Sequence, residues 1–252
     1  MDLRETIQHA LANRHPWELA RAEALRAIAD SYGVLLPGMK ILDLGCGDGF
    51  LIDALCPGST ATIDAVDIHL SADQLAAFTR ERPRLKFHNS DQSLLEHSYG
   101  LITMFDVLEH VEDEVGFLRQ TMERFAAPEA RFFCTVPSFQ SLFSAHDLFL
   151  KHHRRYNLHD FEQALSRAGL RVIGSGYLFG LLLPIRGLAV LVEKFFRAAE
   201  TKPGVGHWRH GRFLTALVKT LLGADNRLLL WLGKMGIRVP GLTVWAVCEM
   251  PR

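Results

Sequence analysis

The sequence predicts an α/β fold in which a largely parallel sheet is covered on both faces by helices. Three observations predict it. From Lys40 onward, short apolar runs alternate with helical patterns at the pace of βαβ units. The first run ends in a glycine-rich turn that opens a helix, and the next ends in a carboxylate, Asp67. The composition, 48% hydrophobic and 22% charged over 252 residues, is that of an ordinary globular domain with room for a subdomain, and it excludes disordered and collagen-like chains.

Taken in order, helices at 3–13 and 17–32 form an N-terminal unit over residues 1–36, the second opened by Pro16 and stopped at Gly33. The core spans 37–176. In it, strands at 41–44, 61–66, 85–88, 101–105, 131–136 and 171–174 are separated by helices at 51–56, 71–81, 112–125 and 158–168. Residues 177–242 form a helical insertion with amphipathic candidates at 181–197, 212–222 and 226–235, joined by a basic, glycine-rich link at 202–211. Residues 243–252 return to the core, with a last strand at 243–249 (TVWAVCE). No internal repeat interrupts this order.

The 28 Lys and Arg balance 28 Asp and Glu, but unevenly. Residues 1–176 carry 17 basic against 24 acidic side chains, and residues 177–242 carry 10 against 3. The basic part is also rich in Leu, Phe and Trp. That pairing suits an amphipathic surface meeting anionic lipid or an amphiphilic substrate, and equally a helical lid whose cations are solvated. The four cysteines, Cys46, Cys56, Cys134 and Cys248, show no framework spacing, so a reduced, cytoplasmic setting is expected. The N-terminus has no signal-peptide pattern. The apolar stretch at 177–192 is too short, and too interrupted by Pro184 and Arg186, to span a membrane alone.

The stretch Lys40 to Phe50 reads KILDLGCGDGF: an apolar strand with an acid near its end, then glycines at 45, 47 and 49. Glycine there lets the backbone turn sharply and approach a ligand closely. The spacing is neither the phosphate-loop pattern nor the G-x-x-G continuation of a nicotinamide-dinucleotide site. Asp67, about 20 residues on, stands where a carboxylate accepts both hydroxyls of a ribose. ILDLGCGDG, then Asp67, Asn89-Ser90-Asp91 and the run from Phe105 to Val111 (FDVLEHV) together resemble the motifs of class I S-adenosylmethionine-dependent methyltransferases. The resemblance covers residues 37–176 and implies a Rossmann-like sheet of seven strands with the last antiparallel. Carried over by position, Asp43 and the backbone of Gly45, Cys46, Gly47 and Gly49 would hold the methionine moiety of S-adenosyl-L-methionine. Asp67 would hold the ribose, Ile68 with Asp91 and Gln92 the adenine, and Phe105 would floor the pocket.

Residues 136–157 (VPSFQSLFSAHDLFLKHHRRYN) resemble one subgroup of that superfamily, on Val136, Pro137, His146, Asp147, His152 or His153, Arg154, Arg155 and Tyr156. The segment follows the fifth strand, where open α/β sheets bind ligands. A solvated loop is the plain alternative. Methyl transfer from a sulfonium needs alignment and, for an oxygen acceptor, removal of a proton. His110, His146, His153 and Asp147 are the candidates for the base. Asp106, Glu109 and His110 fall at i, i+3 and i+4, on one face of a helical turn. This D-x-x-E-H resembles the pattern of metal-assisted O-methyltransferases, and with His146 or His153 it would hold Mg²⁺, Mn²⁺ or Fe²⁺ and polarise an acceptor hydroxyl; the alternative is a site without metal, since L-E-H-V is widespread in methyltransferases that use none and Asp106 would then sit beneath the cofactor.

The sequence therefore points to O-methylation of a hydroxylated small, hydrophobic or lipid-linked acceptor. N- or C-methylation of a soluble metabolite, and a cofactor-binding module without turnover, are the alternatives. Nucleic acid is excluded as a partner by the acidic sheet half and by the absence of an N-P-P-Y-type motif after the fourth strand. Residues 177–242 are expected to cover the acceptor, to attach peripherally at the inner face of the membrane, or to form a homodimer face.

Overall fold

The computed structural model describes residues 14–58, 60–196, 208 and 210–251, without the side chains of 194–196. The helix expected at 3–13 lies outside the described residues. The elements run α1 (Pro16–Tyr32), β1 (Lys40–Leu44), α2 (Phe50–Leu55), β2 (Thr62–Val66), α3 (Ala72–Glu81), β3 (Leu85–His88) and β4 (Tyr99–Phe105). They continue with α4 (Glu114–Phe125), β5 (Ala126–Pro137), α5 (Ala145–Leu150), α6 (Leu158–Ala168), β6 (Arg171–Leu178), α7 (Leu182–Phe196), α8 (Arg212–Lys234) and β7 (Thr243–Glu249). One seven-stranded sheet has the order β3-β2-β1-β4-β5-β7-β6, and β7 alone is antiparallel to its neighbours. This is the mixed, Rossmann-like sheet that the motifs imply.

Local chemistry sets the element ends. Pro16 opens α1, where the side chain of His15 accepts the Trp17 N–H and Glu18 reaches back to the His15 N–H. Ser71 and Gln74 make the reciprocal box on α3, and Asn157 caps α6. Successive side chains of β5 face opposite sides of the sheet. Phe132 packs with Phe161 and Leu118 under α4 and α6, whereas Phe133 packs with Leu25, Ile28 and Trp245 under α1 and α8. The sheet is therefore buried on both faces, as parallel strands require.

The insertion differs from expectation. The candidates at 212–222 and 226–235 are one continuous helix of 23 residues. The Gly-Ala-Asp-Asn stretch between them reads as a helix end, but its polar groups serve neighbouring chain instead. The buried Asn226 accepts the Phe179 N–H through Oδ1 at 2.8 Å, and Asp225 accepts the Leu181 N–H at 3.1 Å. Lys219 pairs with Glu23 of α1 at 2.5 Å. The helix thus lies along α1 and β6, while α7 sits against the turn Gln140–Leu142 after β5. The short helix α5 has no counterpart in the sequence reading, and β5 starts five residues earlier than expected.

Phe179 is fully buried with φ of +64°, so its N–H has no solvent to fall back on. Asn226→Ala is expected to cost about 1–3 kcal/mol, read as a lower urea midpoint at unchanged m-value. A change below about 0.5 kcal/mol, the range of ordinary surface substitutions, would show that Asn226 does not anchor the insertion.

Candidate active site

The turn from β1 into α2 is held by backbone. The N–H groups of Gly45 and Cys46 donate to the Val66 carbonyl at 2.8 and 3.0 Å, and the Gly47 N–H donates to Asp67 Oδ2 at 3.2 Å. Two glycines here hold positions where any other residue is strained. Gly45 has φ of +71° and a Cβ there would lie 2.5 Å from Val107 Cγ2; Gly49 has φ of +75° and its Cβ would lie 2.7 Å from both Leu85 Cδ1 and Phe87 Cζ. The carboxylate of Asp67 stands directly on this turn, with its second oxygen accepting the His69 N–H at 2.9 Å. Each oxygen retains a lone pair for a ribose hydroxyl. Ile68 is 74% exposed beside it.

Asp43 is buried, accepts from Thr103 Oγ1 at 2.6 Å, and has its carboxyl pushed up by burial to about 7. Burial likewise pushes the Cys46 thiol well up, so it is inert as a nucleophile. Phe105 stands edge-on to Phe133 at 5.2 Å beneath the pocket. Asp91 is drawn elsewhere: Arg124 donates to its carboxylate at 2.5 Å and to its carbonyl at 3.2 Å. The Gln92 N–H is taken by Ser90 Oγ at 3.2 Å.

Three residues of α1 and its approach were not foreseen. Arg14 and Glu18 line the same small pocket as Asp43, Cys46, Phe50 and Phe105. The Arg14 guanidinium lies 3.9 Å from the Phe50 ring centroid, donates to Glu18 at 3.0 Å and pairs with Asp48. Arg21, buried, donates to Asp106 at 2.6 Å and to Thr135 Oγ1 at 2.6 Å. The available signal was spacing: 14, 18 and 21 fall at i, i+4 and i+7, a charged row on a helix face that also carries Ala and Leu.

On the acceptor side the sequence expectation needs correcting residue by residue. Asp106 does not join Glu109 and His110. Its carboxylate faces Arg21 and Thr135, and the guanidinium charge holds its carboxyl below the usual range despite its burial. The group that does join them is His152. Donor atoms of Glu109, His110 and His152 all lie within 4.8 Å of one another, and the two rings meet edge to face at 4.6 Å. His153, the neighbour expected here, turns its ring to solvent and offers only its backbone N–H to the Glu109 carbonyl at 2.7 Å. His146 lies half-buried on the first turn of α5, outside this group.

Asp147 is fully buried and serves as the anchor of this corner. It accepts from Arg155 Nε at 2.7 Å, from the Ser144 N–H at 3.0 Å and hydroxyl at 3.2 Å, and contacts His152 Nδ1 at 2.8 Å. These partners hold its carboxyl far below the usual range although burial opposes them. An ionised Asp147 accepts only, so His152 donates through Nδ1 and presents Nε2 to Glu109 and His110. A carboxylate so engaged is no general base. Glu109 is its opposite: both oxygens are buried without a partner, and burial together with the nearby Asp106 charge pushes its carboxyl well up.

Ionised Asp43 would accept the ammonium of the methionine moiety. With the carboxyl near 7, it is protonated below that pH, and affinity for S-adenosylhomocysteine falls with it. Isothermal titration is expected to show binding about tenfold tighter at pH 8 than at pH 6, and Asp43→Asn to flatten that slope. A flat wild-type profile would remove this role from Asp43. Asp67→Ala is expected to weaken the same ligand at least about tenfold, the loss of a charge-assisted pair; equal affinity would sink the ribose assignment.

A family model described as a methyltransferase domain matches residues 13–174. A ubiquinone biosynthesis O-methyltransferase of Paracidovorax citrulli is 34% identical over 108 residues, 40% of this chain and 45% of that protein. Similar curated relatives are matched over 34% to 62% of their lengths, so the likeness covers only part of each. Among solved structures, a geranyl diphosphate C-methyltransferase of Streptomyces coelicolor, bound to Mg²⁺, geranyl diphosphate and S-adenosylhomocysteine, superposes with a TM-score of 0.57 at 12% identity, over 93% of this chain and 81% of that one. The [4+2]-cyclase SpnF does so with a TM-score of 0.59 at 15% identity, over 96% and 87%. At such identities the structures speak for the fold alone, and the cyclase shows that the fold hosts more than one reaction. The extent of the family match, well over half of the chain, leads to a plain conclusion: the chain belongs to the methyltransferase-domain family.

Proposed function

We propose that the chain transfers the methyl group of S-adenosylmethionine to a hydroxyl oxygen of a small, hydrophobic or lipid-linked acceptor, bound where β4 and β5 end beneath α7. The observation that carries this reading is the buried, unpartnered carboxyl of Glu109 facing His110 and the oriented ring of His152. Relatives named as ubiquinone biosynthesis O-methyltransferases agree with an oxygen acceptor, over the part of their length that matches.

The transfer is an in-line displacement with a neutral thioether leaving, so alignment supplies most of the acceleration. Asp43 and the turn Gly45, Cys46, Gly47 and Gly49 fix the methionine end, Asp67 with Ile68 the ribose and adenine side, and Phe105 the floor. Asp91 and Gln92 lie further out along the adenine edge. The acceptor segment is clamped from above: Arg186 of α7 donates to Ser144 Oγ at 2.7 Å, and Glu193 accepts the Ala145 N–H at 3.0 Å. One carboxylate oxygen and two imidazoles suit a divalent cation, Mg²⁺, Mn²⁺ or Fe²⁺, and a carboxylate buried without a partner is costly unless a cation neutralises it. Bound there, such an ion supplies Lewis-acid polarisation of the acceptor hydroxyl. Asp147 acts through His152, as the outer partner that orients a ligating imidazole.

Activity is expected to vanish in chelator and to return with Mg²⁺ or Mn²⁺, and Glu109→Gln and His152→Ala to lower kcat about 10–100-fold while S-adenosylhomocysteine affinity stays within about twofold. Full turnover after exhaustive chelation would end the cation assignment and leave His110 as the base. An extract fraction of amines that accepts methyl where hydroxylated lipids do not would redirect the oxygen assignment to nitrogen.

No described helix is long and apolar enough to cross a membrane. The exposed apolar residues of α7 and α8, Ile185, Leu188, Leu217, Leu221, Leu228 and Trp231, stand in the basic part of the chain. This supports a reading in which the insertion rests on an anionic bilayer. The protein is then expected to float with anionic vesicles at low salt and to be released at high salt. Indifference to vesicles together with a dimeric mass would reassign the face to a second copy.

A further inference from the structure

On the far side of α1 from the cofactor turn, a crevice of about 250 Å³ opens between the C-terminal halves of α1 and α8 and the strands β6 and β7. Its wall is apolar, with Ile28, Leu230, Ile237, Trp231 and Trp245. Its charges are of one sign: Arg227, Lys234 and Arg238 line it, and no Asp or Glu does so among the described residues. All three cations come from the basic part of the chain, residues 177–242.

A second observation is independent of that charge. Trp245 is 5% exposed, and its Nε1–H has no hydrogen-bond acceptor. A Cβ built at Gly176, its neighbour across the β6–β7 ladder, would stand 3.0 Å from that nitrogen. Both residues line the crevice. Arg238 reaches the same stretch, pairing with the Ser175 carbonyl and hydroxyl. A buried donor left unmade is costly, and a ligand oxygen removes that cost.

We propose that this crevice binds a single-chain anionic amphiphile, of fatty-acid or alkyl-phosphate type, taken up as a free monomer. Its acidic head accepts from the Trp245 indole N–H and is neutralised by Arg238, with Arg227 and Lys234 at the rim. Its chain lies against Ile28, Leu230 and Trp231. The volume is below the roughly 300–1,000 Å³ of pockets that enclose drug-sized molecules, which suits one alkyl chain and not the two of a diacyl phospholipid. None of the cofactor or acceptor residues described above lines the crevice, so the assignment stands apart from the reaction.

Two of the four tryptophans line the crevice, and their fluorescence reports its occupancy. The full chain is titrated with ω-bromoundecanoate, whose bromine quenches indole on contact, and with ω-bromoundecanol as the uncharged control. Saturable quenching by the acid is expected, with the alcohol binding at least about tenfold more weakly, as for a lost charge-assisted contact. Gly233→Leu fills the crevice from a position where an added Cβ meets nothing within 4 Å, and it replaces a helix-weakening glycine. It is expected to abolish quenching with S-adenosylhomocysteine affinity unchanged. Lys234→Glu, on the exposed rim, is a second variant and is expected to weaken the acid at least about tenfold through charge reversal. Quenching that is equal for acid and alcohol, or equal in wild type and Gly233→Leu, overturns the proposal. So does quenching seen only with brominated phospholipid vesicles and not with the monomer, which would assign the surface to a bilayer.

Discussion

The Arg21 guanidinium is the interaction on which the site depends. It is buried to 1% exposure, and it ties α1 to the ends of two strands by bonding Asp106 after β4 and Thr135 in β5. Asp106 has φ of +59°, a conformation a non-glycine residue keeps only when its surroundings impose it. That bend turns the chain into the short helical turn Leu108–His110 and carries Glu109 inward. Removing Asp106 leaves the 1%-exposed Arg21 as an uncompensated buried charge, a loss that in buried pairs costs about 3–5 kcal/mol. The same helix register that delivers Arg21 to Asp106 delivers Glu18 to the small pocket at the glycine turn one turn earlier, where Arg14, just before the helix, joins it.

Three acids within a short stretch of space are kept in different states by what surrounds them. Asp106 and Asp147 are surrounded by donors and stay ionised; Glu109, with none, is driven toward neutrality by burial and by Asp106. Pairs of titratable groups pushed apart in this way mark places where charge is managed for chemistry. The contrast also explains why Asp147, the acid among the sequence candidates for the base, is the least available: its donors immobilise it so that His152 is oriented.

Much of the fold was legible because it rests on local rules. The glycine turn, the alternating strands of the core and the capped helices all announce themselves within a dozen residues, and the position of Asp67 follows from the strand it ends. What the sequence concealed depends on partners far away along the chain. Arg21 meets Asp106 across 85 positions and Asn226 meets Phe179 across 47, so neither role is visible in a local window. The Gly-Ala-Asp-Asn stretch reads as a helix stop because only tertiary packing reveals that its polar groups are occupied elsewhere. His152 and His153 differ by one residue, and in extended chain that decides which side a ring faces; only the Asp147 contact settles it.

The place of β7 in the sheet has a consequence for how the chain is made. β6 does not pair with β5; it joins the sheet only through β7, which lies between them and is synthesised after the whole insertion. At about 5–20 residues per second, several seconds of translation separate β6 from its only neighbour. Through that interval the edge of β5 that β7 will pair with stands open. Late insertion of this penultimate strand leaves an unpaired edge, the kind that templates pairing with another chain, open while the intervening residues are made.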